Sequence, residues 1–335
     1  MGCDGCELWP TNLVLKIRMV KELRAQFPLA DPTHLRNIVE QAMGDDVATI
    51  LWKRKEAIIW TIVEALWDGT KGGASKRRVI KKVLIAFKEA FKCYAGRLHF
   101  VRGGRKGYAP IFEQVTEFPG RVLAVSKASD LQGQRRADKS WLNGARRLIF
   151  VSDMGDALSD GISNEYLLKE IIEVVSSPAG SRHIWLWLTK RPKKMADFSE
   201  WLVKKGINWP DNLVAMTSVT SSATLARIDR LKEVKARYKG LSVEPLWGPI
   251  IPNLDGIDWC IVGGESGPSA QPFDLDWART LRTQCSRSGT AFFVKQLGAA
   301  PVENGKPLDL IDGHGGDWNE WPVDLQLRAI PNGFY

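Results

Sequence analysis

With 335 residues, 44% of them hydrophobic, the chain can bury one large core or two modest ones. No run of about 18 apolar residues marks a membrane span and no charged-then-apolar leader opens the chain. Five cysteines, an odd and low count, argue against a disulfide framework and for a reducing cytoplasm. The net charge of +9 is unevenly spread: residues 12–92 carry 16 Lys/Arg against 9 Asp/Glu and residues 96–147 carry 11 against 4, whereas residues 148–335 carry 20 against 23. A basic first half suits a polyanion such as nucleic acid, the plainer alternative being a solvated basic face with no specific partner.

In chain order, residues 1–11 form a short cysteine segment, Gly2-Cys3-Asp4-Gly5-Cys6. Residues 12–92 read as a basic helical insertion. Leu13, Ile17, Val20, Leu23 and Phe27 recur at spacings of three and four, and Pro28 and Pro32 end that run. Asp31 is a cap candidate for a second helix over Pro32–Met43. Two more helices follow, about Val47–Trp67 and Ser75–Phe91, with a Gly-rich break between them.

From about residue 113 short apolar runs alternate with amphipathic helices. The runs are Gln114–Phe118, Leu148–Ser152, Ile184–Thr189, Leu213–Val219, Gly240–Val243, Trp259–Val262 and Ala291–Lys295. Helical segments fall at Asn164–Val175, Lys193–Lys205, Ala223–Ala236 and Asp274–Ser288. This alternation predicts an α/β fold, a partial or full (β/α) barrel of parallel strands over residues 93–298 with the helical insertion N-terminal to it. Residues 299–335, rich in Gly, Trp and Pro, read as an irregular C-terminal extension.

The apolar runs end in polar residues: Ser152-Asp153-Met154-Gly155-Asp156, Thr189-Lys190-Arg191, Thr217-Ser218, Ser242-Val243-Glu244-Pro245, Gly263-Gly264-Glu265-Ser266-Gly267 and Lys295-Gln296. In a barrel of parallel strands these project at one rim, where such folds place their active sites. Glu244 is set in extended geometry by the following proline and is placed to orient a substrate or to pair with Lys190 or Lys295. The glycines at 263 and 264 permit close backbone approach, although a lone Gly-Gly-Glu also describes an ordinary turn.

Cys3, Cys6 and Cys93 admit two readings. Three thiolates can hold three irons of a [4Fe–4S] cluster and leave the fourth open for chemistry. With His99 they also make a Cys3His set for structural Zn. Cys260 lies in an apolar strand and reads as core, and Cys285 as a packed helix thiol. The cationic run Arg97, Arg102, Arg105 and Lys106, together with Lys76, Arg77 and Arg78, is the candidate nucleic-acid surface. Trp185 and Trp187 alternate on a strand and read as core.

Taken in order, Gly-Cys-x-x-Cys, Cys-Tyr-Ala, Ser-Asp-Met-Gly-Asp, Leu-Thr-Lys-Arg-Pro, Ser-Val-Glu-Pro-Leu-x-Gly-Pro and Trp-x-Ile-Val-Gly-Gly-Glu-Ser-Gly form a series. It resembles the phage-associated three-cysteine-motif proteins, a family similar to spore photoproduct lyase within the radical S-adenosylmethionine enzymes. The resemblance implies a partial barrel whose [4Fe–4S] cluster, held by Cys3, Cys6 and Cys93, cleaves S-adenosylmethionine to a 5′-deoxyadenosyl radical. By the same resemblance Ser152, Asp153, Asp156, Thr189, Lys190, Ser218, Glu244, Gly263, Gly264 and Glu265 line the cofactor and substrate pocket. Within that set Glu244 and Lys190 are the catalytic candidates beside the cysteines. The expectation is a cytoplasmic, phage- or prophage-encoded enzyme that repairs or modifies a nucleic-acid base or nucleotide, with room for a protein partner encoded nearby and no membrane association. The alternative is a zinc-stabilised nucleic-acid adaptor without catalysis. In the resembled class the three cysteines usually share one short loop, whereas here a helical unit separates Cys6 from Cys93.

Overall fold

The computed structural model describes residues 12–44, 54–67, 72–91, 115–151, 155–267 and 270–335. The chain divides between Thr116 and Glu117 into two compact units. Cys3, Cys6, Cys93, Arg97, His99, Arg102, Arg105, Lys106, Ser152 and Asp153 fall outside the described residues.

The first unit is a helical bundle of α1 (Asn12–Gln26), α2 (Pro32–Met43), α3 (Lys55–Leu66) and α4 (Gly72–Phe91). The second helix starts where the sequence says it should: the Asp31 side chain accepts from the His34 N–H at 2.7 Å and Pro32 occupies the first turn, satisfying a donor that the helix leaves open. Apolar positions at helical spacing close a core of its own. Leu15, Met19 and Leu23 of α1 meet Leu35 and Val39 of α2, Ile62 and Val63 of α3, and Val83 and Phe87 of α4, all of them buried.

The second unit is an α/β half-barrel. Its six strands, β1 (Arg147–Val151), β2 (His183–Thr189), β3 (Leu213–Ser218), β4 (Lys239–Val243), β5 (Trp259–Gly263) and β7 (Ala291–Gln296), are all parallel and lie side by side in chain order, while the two-residue β6 (Phe273–Asp274) belongs to a separate small sheet. An order that never reverses, joined by right-handed crossovers, puts the intervening helices on one face and curls the sheet. Those helices include the segment 164–176, α7 (Pro192–Lys204), α8 (Ala226–Lys232) and α9 (Leu275–Ser288); the short α5 (Arg121–Ser126) precedes β1, and segment 164–176 counts as α6. Period-two alternation divides the strand residues accordingly. Trp185, Trp187, Leu213, Ala215, Leu241, Val243, Cys260, Val262, Phe292 and Val294 join the helix-side core. Ile184, Leu186, Val214, Met216, Trp259 and Ile261 form a second core on the concave face.

Helices do not cover that concave face; the C-terminus does. Ile330 and Phe334 pack into it, with Phe334 edge-on to Trp259 at 5.5 Å and to Tyr238 at 5.6 Å. The segment adds to the β7 edge through an antiparallel bridge between Phe293 and Arg328. It then passes Trp259, whose Nε1–H donates to the Ala329 carbonyl at 3.0 Å, and reaches Arg146, whose N–H donates to the Phe334 carbonyl at 2.9 Å. Residues 328–335 thus strap the last strand to the start of the first. The expected irregular extension is therefore part of the barrel and fills the lower half of its concave face.

Two other expectations change, and one choice left open is settled. Residues 115–118 form no strand: Val115 and Glu117 are exposed and, among the described residues, no strand pairs with them. The helix expected over 223–236 is a short 3-10 turn (Ser222–Thr224) followed by α8, with Val234 and Ala236 buried beyond its end. The partial barrel, not the full one, is what forms.

Candidate functional site

The strand alternation fixes which side chains look into the concave mouth. Phe150 shares the inward face with Leu148 and is 49% exposed. Ser218, Ser242, Gly263 and Lys295 are the inward positions at the ends of β3, β4, β5 and β7. Glu244 continues the inward series Gly240, Ser242 just past β4. All lie at the C-terminal ends of parallel strands, the end at which such sheets bind ligands.

The centre of this rim is Glu244. Its Oε1 accepts from Lys295 Nζ at 2.9 Å and from Gln296 Nε2 at 2.5 Å. Two consecutive residues of a regular strand point to opposite faces, so both cannot normally reach one carboxylate. They do so here because the β5–β7 pairing shifts register at Val262/Gly263, so that Gly263 faces Gln296. Such a bulge turns a side chain toward a barrel rim. Gln296 Nε2 also donates to the Gly264 carbonyl at 3.1 Å, which orients the amide.

The loop that carries Glu244 is pinned on both sides. The Glu244–Pro245 peptide is cis, the Leu246 N–H donates to the Gly263 carbonyl at 3.0 Å, and the Trp247 N–H donates to the Thr220 carbonyl at 2.9 Å. Gly263 supplies room: a Cβ there would stand 3.2 Å from the Gln296 carbonyl oxygen and 3.4 Å from Glu244 Cγ. Gly264 has a different reason to be glycine, since its Cβ would fall 2.2 Å from the Leu297 carbonyl oxygen. It lets two backbones touch.

The Asp156 and Thr189 pair belongs to the scaffold beneath the rim. The Asp156 carboxylate accepts from Thr189 Oγ1 at 2.7 Å, from the Lys190 N–H at 2.9 Å and from the Leu158 N–H at 3.0 Å. The Thr189 carbonyl accepts from Thr217 Oγ1 at 2.8 Å, and Thr189 Oγ1 accepts from the Arg191 N–H at 2.8 Å. These bonds tie the loop after β1 to the ends of β2 and β3. Glu265 closes its own loop by accepting from the Gln271 N–H at 3.0 Å. Ser218 is buried, and its carbonyl accepts from Arg227 at 3.0 Å.

Sequence reasoning set Ser242, Glu244, Lys295 and Gln296 on the rim and offered Lys190 or Lys295 as the partner of Glu244, of which Lys295 is the one observed; it missed Gln296 as a second partner and Phe150 as a concave-face group. Phe150 was findable, because alternation in Leu148-Ile149-Phe150-Val151 sets it opposite the buried Ile149 and Val151. The role of Gln296 depends on the bulge, for which the sequence carries no local signal. Cys260 and Cys285 are both fully buried, and the hydrogen bond with the Cys285 thiol, with burial behind it, pushes the Cys260 thiol well up, as expected of inert core thiols. Lys76 is engaged within its own unit, bonded to Glu64 at 2.6 Å and set 4.2 Å over the Trp67 ring. Arg77 and Arg78 are exposed.

Among the described residues no group of three or more His, Cys, Asp or Glu could hold a metal ion, and no helix is long and apolar enough to cross a membrane. A family model described as "Protein of unknown function (DUF5131)" matches residues 89–322. No curated protein and no solved structure matches the chain.

Proposed function

Because the chain belongs to the DUF5131 family, whose function is unknown, its activity has to be read from its site, and we propose a radical S-adenosylmethionine-like iron–sulfur enzyme acting on a nucleic-acid base or nucleotide at the mouth of the half-barrel. One observation carries the reading: a one-sided parallel sheet gathers Glu244, Lys295 and Gln296 on its concave face at the C-terminal rim. The cluster ligands are Cys3, Cys6 and Cys93, taken from the sequence.

The groups present fit S-adenosylmethionine, which offers an ammonium, a carboxylate, ribose hydroxyls and a purine. The Glu244 carboxylate suits the ammonium or the hydroxyls, and Lys295 suits the carboxylate. The absent Cβ of Gly263 lets Glu244 and the Gln296 backbone approach closely at the rim, and the half-exposed Phe150 ring offers an apolar face to a purine. When bound, the cluster and S-adenosylmethionine supply the hydrogen-abstracting radical, the part of the chemistry no side chain can provide. The chain's own residues bind and orient. Glu244 is held at a fixed position by Lys295, Gln296 and the pinned 244–247 loop, so little reorganisation is needed when a ligand replaces one of those partners. Ile330 and Phe334 fill the lower concave face, which confines a ligand to the rim and keeps water from the floor.

The test is iron and sulfide content with a visible spectrum, on protein purified without oxygen. About four irons and four sulfides per chain, bleached by dithionite and lost in Cys93→Ala, support the enzyme. One colourless zinc per chain would replace it with the alternative reading, an adaptor whose cysteines are structural.

A further inference from the structure

The helical unit sorts its charge between two pairs of helices. The α1 and α4 sequences together hold ten Lys/Arg and two Glu, whereas α2 and α3 hold two Lys/Arg and three Glu. The basic pair is also a packed pair, α1 lying along α4. Lys21 and Arg24 on α1 and Arg77, Arg78 and Lys81 on α4 are all exposed. None of the five has a hydrogen-bond or ion-pair partner among the described residues. The cations that do have partners are different ones: Lys16 bonds Glu40 at 2.5 Å, Lys76 bonds Glu64, and Lys82 sits 4.8 Å over the Phe27 ring.

Arg77 and Lys81 are one helical turn apart, as are Lys21 and Arg24, so like charges repel along both ridges. Glu40 of α2 and Glu64 of α3 are bonded to Lys16 and Lys76, so neither compensates that repulsion. The exposed apolar residues of α1 and α4 are Ile17 and Ile85, and no described side chain of these two helices is an exposed aromatic ring; the half-exposed Trp60 belongs to α3, where Lys76 lies 5.8 Å over it. Stacking platforms mark single-strand binders, whereas phosphate contacts alone suit a duplex.

We propose that the joint face of α1 and α4, through Lys21, Arg24, Arg77, Arg78 and Lys81, is a docking surface for the phosphate backbone of double-stranded nucleic acid. This moves the interface from Lys76, which is spoken for inside the bundle, onto two helices. The proposal shares its nucleic-acid partner with the enzyme reading and rests on that reading only for the purpose of binding. Its test reads binding without cofactor, so either can fail alone.

Fluorescence anisotropy of a labelled short DNA duplex, titrated with the full chain at several salt concentrations, measures the contact count. Five phosphate contacts give a slope of about −4.5 in log affinity against log salt, a loss of about 500-fold between roughly 50 and 200 mM. Arg77→Gln/Arg78→Gln/Lys81→Gln should weaken binding and bring the slope to about −1.8. Lys81→Glu separates binding from folding: it sets a carboxylate one turn from Arg77 and Arg78, so it should melt no lower than the parent and still bind more weakly. An unchanged slope in the triple variant would overturn the proposal, assigning the contacts elsewhere in the chain. Tighter binding to single-stranded DNA of the same length, or to polyglutamate, would overturn it as well.

Discussion

The two units spend their charge differently. On the half-barrel surface cations are matched to carboxylates close by: Lys193 with Asp197 at 2.8 Å, Arg230 with Glu233 at 2.8 Å, Lys235 with Glu200 at 2.8 Å and Arg237 with Asp211 at 3.0 Å. Each such exposed pair contributes only about 0.2–1 kcal/mol, so the pairing matters less for stability than for neutralising charge at those four positions. In the helical bundle the joint face of α1 and α4 is left positive. The units also bury separate cores, the bundle one and the half-barrel two, one on each side of its sheet. Stability of the half-barrel rests on how its concave core is closed, and partner choice of the bundle rests on charge that is left open.

The largest expected effect tests the closure. Phe334→Ala empties the contact of the strap with Trp259 and Tyr238 and should cost about 3–5 kcal/mol. Calorimetry should show the half-barrel transition falling while that of the bundle stays in place; a loss of both together would join what the separate cores divide. Gly264→Ala drives a Cβ into the Leu297 backbone, where no side chain can turn away, and should cost about 1–3 kcal/mol in the same transition. If it proved neutral, the tight seam between β5 and the segment after β7 would not be a constraint.

The acid limb gives a smaller effect with a definite sign. Arg279, then Arg282, hold the Asp324 carboxyl below its ordinary value, and Asp324 in turn anchors the C-terminal segment to α9 through Arg279 at 2.9 Å. A depressed carboxyl contributes its stabilisation above the unfolded value near 3.8 and loses it as pH falls through the lower folded value. Asp324→Asn should therefore lower the melting temperature at neutral pH and flatten the decline below pH 4, with no change at the lowest pH. The smallest effect lies on the bundle: Lys81→Glu should raise stability by about 0.2–0.5 kcal/mol by relieving repulsion one turn from Arg77, and a fall would mean that the ridge is compensated.

How much of this was visible in the sequence follows from which interactions are local. Six strands and most helices were legible because alternation and helical spacing are local patterns. The Asp31 cap reads as it forms, its side chain accepting from the first turn. The stretch 115–118 shows why such patterns mislead: it alternates in exposure like a strand yet has no pairing partner among the described residues. The C-terminal strap was illegible because its partners, Trp259, Phe293 and Arg146, lie far away in the chain. Arg328 is an example, lying 4.1 Å over the Trp141 ring and 4.8 Å over Trp321, its charge disfavoured by burial. At the site, Glu244 could be read from its place after an apolar run, but Gln296 needed the bulge and Lys76 needed its partner Glu64.

The central claim is that the rim around Glu244 is where S-adenosylmethionine binds. Its most direct test is calorimetric titration of S-adenosylmethionine into the reconstituted protein, comparing the parent with Glu244→Gln and Lys295→Met at matched folded fraction. Saturable binding that weakens by about 1.5–3 kcal/mol in Glu244→Gln, and less in Lys295→Met, is the predicted result. Binding in Glu244→Gln equal to that of the parent would place the cofactor elsewhere and contradict the account.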